Sequence, residues 1–234
     1  MRRGAAMLRA ASFALAALLL VACNDEAAQR KAFIDFLQTR ILDKPGLHVP
    51  YLTPDEAKRL GDYARQYAII TDFSDGLDSS VARPMQQAMN RGAVRSLDEL
   101  VTRHADFGTA REGIEQLRAA VDKQLAAADA AHAALKQPDD LRPVFDKAYE
   151  RDVTVPAKAF SDVFPDLDAG LGAIIDLGEF IDRHKDKITI TGVIVQTGDP
   201  ALQPRLAVLI AALADKTDAI TKAQQRLRAV MEGS

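Results

Sequence analysis

The sequence predicts an all-α fold, a compact bundle of about six to eight helices with one short extended or hairpin segment near 187–198. Apolar residues recur three and four positions apart along nearly the whole chain, which is the spacing of one helix face. Proline, glycine and aspartate interrupt this pattern at intervals typical of helix boundaries. The hairpin segment differs because its β-branched residues alternate with period two.

The first predicted helix spans 25–42, and an irregular segment, 43–54, follows because its Pro-Gly pair favours a turn. Thr53 and Pro54 then start the second helix, since threonine caps the first turn and proline suits the first helical position. This helix is predicted to run through Leu60 and Ile70 and to fray around Gly76 or stop near Pro84. The apolar faces of the two helices consist of Phe33, Ile34, Leu37, Ile41, Leu60, Ala64, Tyr67 and Ile70.

The middle of the chain is predicted to be helical throughout. One helix opens at Ser96, and a long one runs from Thr109, as its cap, to Gln137. The alanine-rich stretch 126–134 of the long helix suits close approach of another helix. Asp139 and Asp140 are predicted to cap the next helix. Shorter helices follow at 140–151, 156–164 and 166–185.

The last predicted helix, 200–231, has heptad spacing over about four heptads. Its two seams are formed by Leu206, Leu213, Ile220 and Leu227 and by Leu202, Leu209, Ala223 and Val230, interrupted by Lys216. Within a compact domain such spacing is more typical of a bundle helix than of an intermolecular coiled coil. A dimer through this helix is therefore the alternative that is not favoured.

The first 22 residues have the three parts of a secretory signal peptide. Arg2, Arg3 and Arg9 precede an apolar run of 13 residues, Ala10–Ala22, which is shorter than the roughly 20 residues that a membrane-spanning helix needs. The stretch Leu20-Val21-Ala22-Cys23 then resembles the lipobox of bacterial lipoproteins. That resemblance implies cleavage between Ala22 and Cys23 and attachment of diacylglycerol and a further acyl chain, such as palmitate, to Cys23.

Cys23 is the single cysteine, and a thiolate is the nucleophile that such a lipid transfer requires. Two or three acyl chains give a stable anchor where one gives marginal binding. The predicted organisation is a signal peptide (1–22), a lipidated tether (23–28) and one helical domain (29–234). The alternatives are a secreted protein with a chance cysteine and a one-helix inner-membrane anchor. Asn24, where an aspartate would retain the protein in the inner membrane, implies export to the outer membrane, facing the periplasm.

Composition restricts the function further. Three of the 30 basic residues lie in 1–22, which leaves 27 against 33 acidic residues in the mature chain. This acidic balance disfavours nucleic acid as a partner. The chain has no tryptophan and four tyrosines, so it has few rings on which a glycan would stack.

Chemistry-bearing residues show no catalytic pattern. The four histidines, His48, His104, His132 and His184, are scattered one per element and lack the spacing of a helical zinc site. No nucleophile elbow, zincin motif or phosphate-binding loop is present, so the sequence identifies no catalytic residue, metal site or cofactor. The irregular segments 43–54 and 187–199 are the expected binding surfaces, with His48 and Tyr51 as a tentative interaction surface.

Three stretches carry a resemblance to a family: the segments at 29–42, 45–50 and 67–73, which read QRKAFIDFLQTRIL, PGLHVP and YAIITDF. They are similar to the YiaF-like family of uncharacterised proteobacterial lipoproteins, a domain of unknown function. The resemblance implies a helical, lipid-anchored envelope protein. It implies no catalytic residue, ligand or partner.

Two functions follow as hypotheses. The first is a non-enzymatic structural or interaction role with another envelope component, an envelope protein or a wall component. The alternative is a helical ligand-binding or hydrolytic envelope protein with a pocket between helices, bordered by the hairpin segment and by Gly170, Gly172 and Gly178.

Overall fold

The computed structural model describes residues 25–92, 99, 102–104, 106–192 and 194–233. Its helices are α1 (25–37), α2 (Pro54–Leu60), α3 (Tyr63–Leu77), α4 (Arg83–Gly92), α5 (Asp106–Ala133), α6 (Arg142–Tyr149), α7 (Val155–Ser161), α8 (Phe164–Arg183) and α9 (Gln203–Glu232). The strands β1 (Ile188–Thr191) and β2 (Ile194–Thr197) form an antiparallel hairpin between α8 and α9. The predicted helical fold with one hairpin is confirmed. The predicted signal peptide and Cys23 lie outside the described residues.

Three π-helical turns occur in the described part of the chain. Gln38–Leu42 continues α1, Asp78–Ala82 joins α3 to α4, and Glu150–Thr154 joins α6 to α7. Residues 142–161 therefore form one helical run, and the predicted boundary before Pro156 is wrong. The wider π-turn directly precedes this proline, where a regular helix would bring a carbonyl against its ring.

The start of α2 is the one predicted. The backbone N–H of Glu56 donates to the Thr53 hydroxyl at 3.2 Å, and the Thr53 N–H donates to the Glu56 carboxylate at 2.9 Å, which is a capping box. The prediction of one helix through Leu60 and Ile70 is wrong, because Gly61, with φ of +57°, separates α2 from α3. The predicted end near Gly76 or Pro84 is also wrong, because α3, the π-turn and α4 continue through Gly92.

The start and end of α5 also differ from the prediction. The helix begins at Asp106 and passes through Thr109, so this threonine is not a cap. Phe107 is buried, and its packing extends the helix toward the N-terminus. The helix ends at Ala133 rather than at Gln137. The helix predicted to open at Ser96 lies mostly outside the described residues.

The predicted capping of α6 by aspartate is wrong. Leu141 occupies the cap position, and no side chain accepts a hydrogen bond there. The Asp140 carboxylate instead lies 3.3 Å from Nε of Arg30 on α1. Leu141 is fully buried, so apolar packing rather than capping chemistry determines where the chain enters this helix.

Two clusters of apolar side chains form the core. The larger one joins α1, α3, α5, α6 and α7 and includes Phe33, Leu37, Tyr67, Ile70, Val121, Phe145 and Val153. The smaller one joins the hairpin to α8 and α9 and consists of Leu177, Phe180, Ile181, Ile188, Leu206 and Leu209. Within the described residues, no helix combines the length and hydropathy needed to cross a bilayer.

The predicted seam of α9 faces the rest of the domain. Leu206, Leu209 and Ala223 are buried. Ile220 lies against Gly170 of α8, where an added Cβ would approach its Cδ1 to 2.5 Å. The heptad pattern is therefore used for packing inside the domain, which is the interpretation that the sequence favours. This packing does not test the alternative of a dimer through α9.

Candidate functional site

The irregular segment between α1 and α2 is held at several points, and we call residues 43–53 loop 43–53. Gly46, at its turn, has φ of +67° and is buried. The Leu47 N–H donates to the carbonyl of Met231, near the end of α9, at 3.0 Å. An added Cβ at Gly46 would lie 2.5 Å from that same carbonyl oxygen, so the close approach of the two backbones requires glycine.

Arg151, in the π-turn between α6 and α7, binds three backbone carbonyls, one at the end of the first helical run and two in the loop. Its Nη1 donates to the Leu42 carbonyl at 2.8 Å, and its Nε and Nη2 donate to the Gly46 carbonyl at 3.2 and 2.9 Å. Nη2 also donates to the Lys44 carbonyl. A guanidinium has enough donors in one plane to satisfy these carbonyls together, which a lysine does not. The start of the loop is therefore fastened to the helices.

Tyr67 of α3 fastens the second half of the loop. Its hydroxyl donates to the Pro50 carbonyl at 2.7 Å, and its ring is 1% exposed and packs edge-on against Phe36. Burial, and to a lesser degree the charge of Asp152, raise the pKa of this hydroxyl, so it remains a donor at physiological pH. Both halves of loop 43–53 are thus tied to the core.

The predicted interaction residues lie on this loop. The side chain of Tyr51 is 69% exposed, and its hydroxyl donates to a carboxylate oxygen of Asp75 on α3. This hydrogen bond raises the pKa of the Tyr51 hydroxyl and sets the direction of the ring. His48 is also exposed and lies three residues earlier, with its backbone N–H facing Asp152. The loop presents an aromatic ring from a backbone that is held in place.

Asp152 lies beneath the loop and is 1% exposed. Neither of its carboxyl oxygens has a hydrogen-bond partner of normal geometry among the described residues. Burial raises its pKa to about 7, although Arg151 and the His48 N–H act in the opposite direction. This carboxyl group is therefore largely protonated in mildly acidic solution and ionises near neutral pH.

Asp152 and Arg151 are functional candidates that the sequence analysis missed. The stretch Glu150-Arg-Asp resembles a solvated helix face. A signal was present, because Asp152 is seven residues after Phe145, so helical spacing places its carboxyl on the apolar side. No comparable signal exists for Arg151, whose partners in the loop are about a hundred residues away in sequence.

The other histidines are separate from the loop. His104 packs on α8, with Nε2 at 3.6 Å from the Asp182 carboxylate. Nε2 of His132 lies 2.8 Å from a carboxylate oxygen of Asp146, and the imidazole stacks on the Tyr149 ring. Within the described residues, no three histidine, cysteine, aspartate or glutamate side chains are placed to hold a metal ion.

His184 follows α8 as its C-cap. Its ring lies 4.8 Å from that of Phe180. The imidazole at this helix end is thus part of local packing.

The hairpin also presents an apolar side chain. Ile188 is buried against α8 and α9, whereas Ile194, in the register pair with Thr191, is 57% exposed. Lys187 and Asp199 close the base of the hairpin with an ion pair at 2.8 Å. The described part of the second predicted binding segment is therefore a hairpin with an apolar side chain at its surface.

Two of the three glycines predicted to border a pocket lie at helix contacts instead. Gly170 lies against Ile220, and Gly178 lies against His104, with no room for a Cβ at either position. Gly172 has open space beside it. A groove of about 520 Å³ lies elsewhere, between loop 43–53, the 147–155 region and the end of α9.

The class of protein is thus a mostly helical domain with a fastened surface loop over a buried carboxyl group. The profile of the family described as "Protein of unknown function (DUF3053)" matches residues 11–228, and the chain belongs to this family. It is 34% identical over 183 residues to "Uncharacterized protein YiaF" of Escherichia coli K12, and equally to the proteins of that name in Escherichia coli O157:H7 and Shigella flexneri. Each alignment covers 75% of this chain and 76% of the relative. No solved structure matches.

Proposed function

We propose that the protein is a lipid-anchored envelope protein that binds another envelope component, without catalysis, through loop 43–53. The supporting observation is the side chain of Tyr51, 69% exposed on a loop fastened by Arg151 and Tyr67. Tyrosine is among the residues that dominate protein interfaces. Because the loop is already held, binding costs little conformational entropy.

The first described residue, 25, and loop 43–53 lie at opposite ends of α1 and its continuation, which ends at Leu42. At 1.5 Å per residue, the loop is about 25 Å from residue 25. The proposed anchor, Cys23, precedes this residue by two positions. Such an arrangement is consistent with a partner in the periplasm, with Cys23 in the inner leaflet of the outer membrane as Asn24 implies.

Photocrosslinking in intact cells tests this function. A photoreactive phenylalanine analogue at position 51 is expected to capture one specific partner, and the same analogue at Val208 serves as the matched control. Val208 is 57% exposed on α9, far from the loop in sequence. If both positions give the same products, or position 51 gives none, the proposed interaction is wrong.

The groove favours a second candidate function, the binding of a small apolar molecule. Its walls include Leu42, Leu47, Val155 and Val230, and Val155 is 41% exposed. A fluorescent fatty acid is expected to bind the full-length protein and to bind Val155→Lys more weakly. Equal binding to both, or none to either, would exclude this function.

A further inference from the structure

The buried carboxyl group of Asp152 does not contact the exposed ring of Tyr51 on which the proposed interaction depends, and it calls for a separate role. It is 1% exposed, its oxygens lack a hydrogen-bond partner of normal geometry among the described residues, and it lies in the same π-turn as Arg151, which holds the loop. A buried carboxyl without hydrogen bonds is much more stable as the neutral acid than as the anion. π-turns are frequent at functional sites, and this one brings the two side chains together beneath loop 43–53.

The groups around Asp152 belong to the attachment of the loop. From the loop, the backbone N–H of His48 faces the carboxyl, and from its own turn Arg151 contributes a positive charge. From α3, Tyr67 is close enough for the charge of Asp152 to raise its pKa. Two of these three groups, Arg151 and Tyr67, donate hydrogen bonds to loop carbonyls.

Three further charged groups on the surrounding elements have partners of their own. From α5, Asp129 accepts a hydrogen bond from the Tyr149 hydroxyl at 2.6 Å. Arg40 and Glu56, whose charges act on Tyr67, lie 3.1 Å apart in an ion pair. An ionised Asp152 can therefore be stabilised by the hydrogen-bond donors that hold the loop, or by water that enters when the loop moves.

We propose that Asp152 is a protonation switch for loop 43–53: the neutral acid allows the loop to stay docked, and the carboxylate loosens it. If the Tyr67 hydroxyl turns toward the carboxylate, the Pro50 carbonyl loses its donor and the second half of the loop is released. This regulation rests on the proposed function, since the released segment carries Tyr51. Burial raises the pKa of Asp152 to about 7, which places the switch near neutral pH.

The chain has no tryptophan, so Tyr51→Trp introduces a single indole, and it lies on the loop. In the full-length Tyr51→Trp protein in detergent, acrylamide quenching of the introduced indole is expected to rise between about pH 5 and about pH 9, with a midpoint near the pKa of Asp152. Adding Asp152→Asn, which cannot ionise, is expected to abolish the change. Identical pH profiles with and without Asp152→Asn, or a flat profile in the parent, would overturn the switch.

Two further variants identify the group responsible. Asp139→Asn removes an exposed carboxyl on the connection before α6 and is expected to leave the profile unchanged. His48→Asn keeps the backbone N–H of the loop and removes its imidazole, and it is also expected to retain the transition. Loss of the transition in His48→Asn would assign the pH dependence to the imidazole and refute the role of Asp152.

An independent measurement covers the case in which Asp152→Asn fails to fold. In the parent protein with ¹³C-labelled aspartate carboxyls, one resonance is expected to titrate near neutral pH, well above the ordinary aspartate range. Its absence overturns the proposal. If the loop shows the pH transition but position 51 gives no photocrosslink, the proposed function alone is refuted. If position 51 crosslinks with equal yield in mildly acid and mildly alkaline buffer and the loop shows no transition, the switch alone is refuted.

Discussion

The guanidinium of Arg151 donates two hydrogen bonds to the carbonyl oxygen of Gly46, a residue 105 positions earlier in the chain. This contact joins the loop after α1 to the π-turn between α6 and α7. Further donors of the same side chain satisfy the Leu42 and Lys44 carbonyls at the end of the first helical run. One side chain thus caps a helix end and positions the surface that carries Tyr51.

Replacing Arg151 by lysine is expected to lower the free energy of unfolding by about 2 kcal/mol, because lysine cannot bind these carbonyls together. Urea denaturation followed by far-UV circular dichroism measures the loss, and hydrogen exchange is expected to accelerate in residues 43–50. Arg118→Lys, on an exposed part of α5, is the matched control and should change neither. An effect no larger than that of the control would show that the contact is not stabilising.

Two glycines of α8 are expected to respond oppositely to alanine. An added Cβ at Gly178 would collide with the His104 side chain, so Gly178→Ala is expected to destabilise the fold by about 1–3 kcal/mol. At Gly172 nothing lies within 4 Å of the added Cβ, so Gly172→Ala is expected to stabilise the helix by about 0.5–1 kcal/mol. Thermal denaturation compares the pair, and equal shifts in Tm would contradict the packing of α8 on His104.

The buried carboxyl of Asp152 is expected to make stability depend on pH. Its pKa is raised from 3.8 to about 7, so the unfolded chain releases this proton at lower pH than the folded one. The contribution of this group to the free energy of unfolding therefore falls as pH rises from about 4 to about 7, by roughly 4 kcal/mol in total. Above about pH 7 the contribution is constant.

The difference in unfolding free energy between the parent protein and Asp152→Asn, measured by urea denaturation across this range, reports this contribution directly. Asp139→Asn should instead follow the parent at every pH. If the difference in unfolding free energy between the parent and Asp152→Asn does not change with pH, burial does not raise the pKa of Asp152.

The predicted anchor is checked by mass spectrometry of the mature protein. The expected N-terminus is Cys23, carrying the mass of a diacylglycerol group and a further acyl chain. Cys23→Ser is expected to abolish the added mass and to release the protein from the membrane fraction. An unmodified thiol, or an intact leader, would remove the basis of the envelope assignment.

The sequence predicts well where the physical signal is local. The N-cap of Thr53, the stripe of Phe33, Leu37 and Ile41, and the alternation of 188–197 depend on neighbours within a turn or a strand pair. The prediction was wrong where packing outweighs local chemistry. Buried Leu141 lies at the cap position that aspartate was expected to occupy.

The candidate site was predicted only in part. Exposed polar and aromatic residues between two helices indicate a surface loop, and this placed His48 and Tyr51 at the surface. Nothing in the loop's own sequence identifies the side chains that fasten it. Those side chains, Arg151 and Tyr67, come from other helical segments.

By itself the sequence determined most of the helices, the hairpin and their apolar faces, because periodicity and short motifs are properties of adjacent residues. The lipidation of Cys23 stays a prediction from such a motif. Only the tertiary structure decided that Arg151 binds the loop and that Asp152 is buried without a partner among the described residues. A hydrogen bond across 105 residues and the dehydration of a carboxyl both require packed helices, since water otherwise satisfies the same groups in the extended chain.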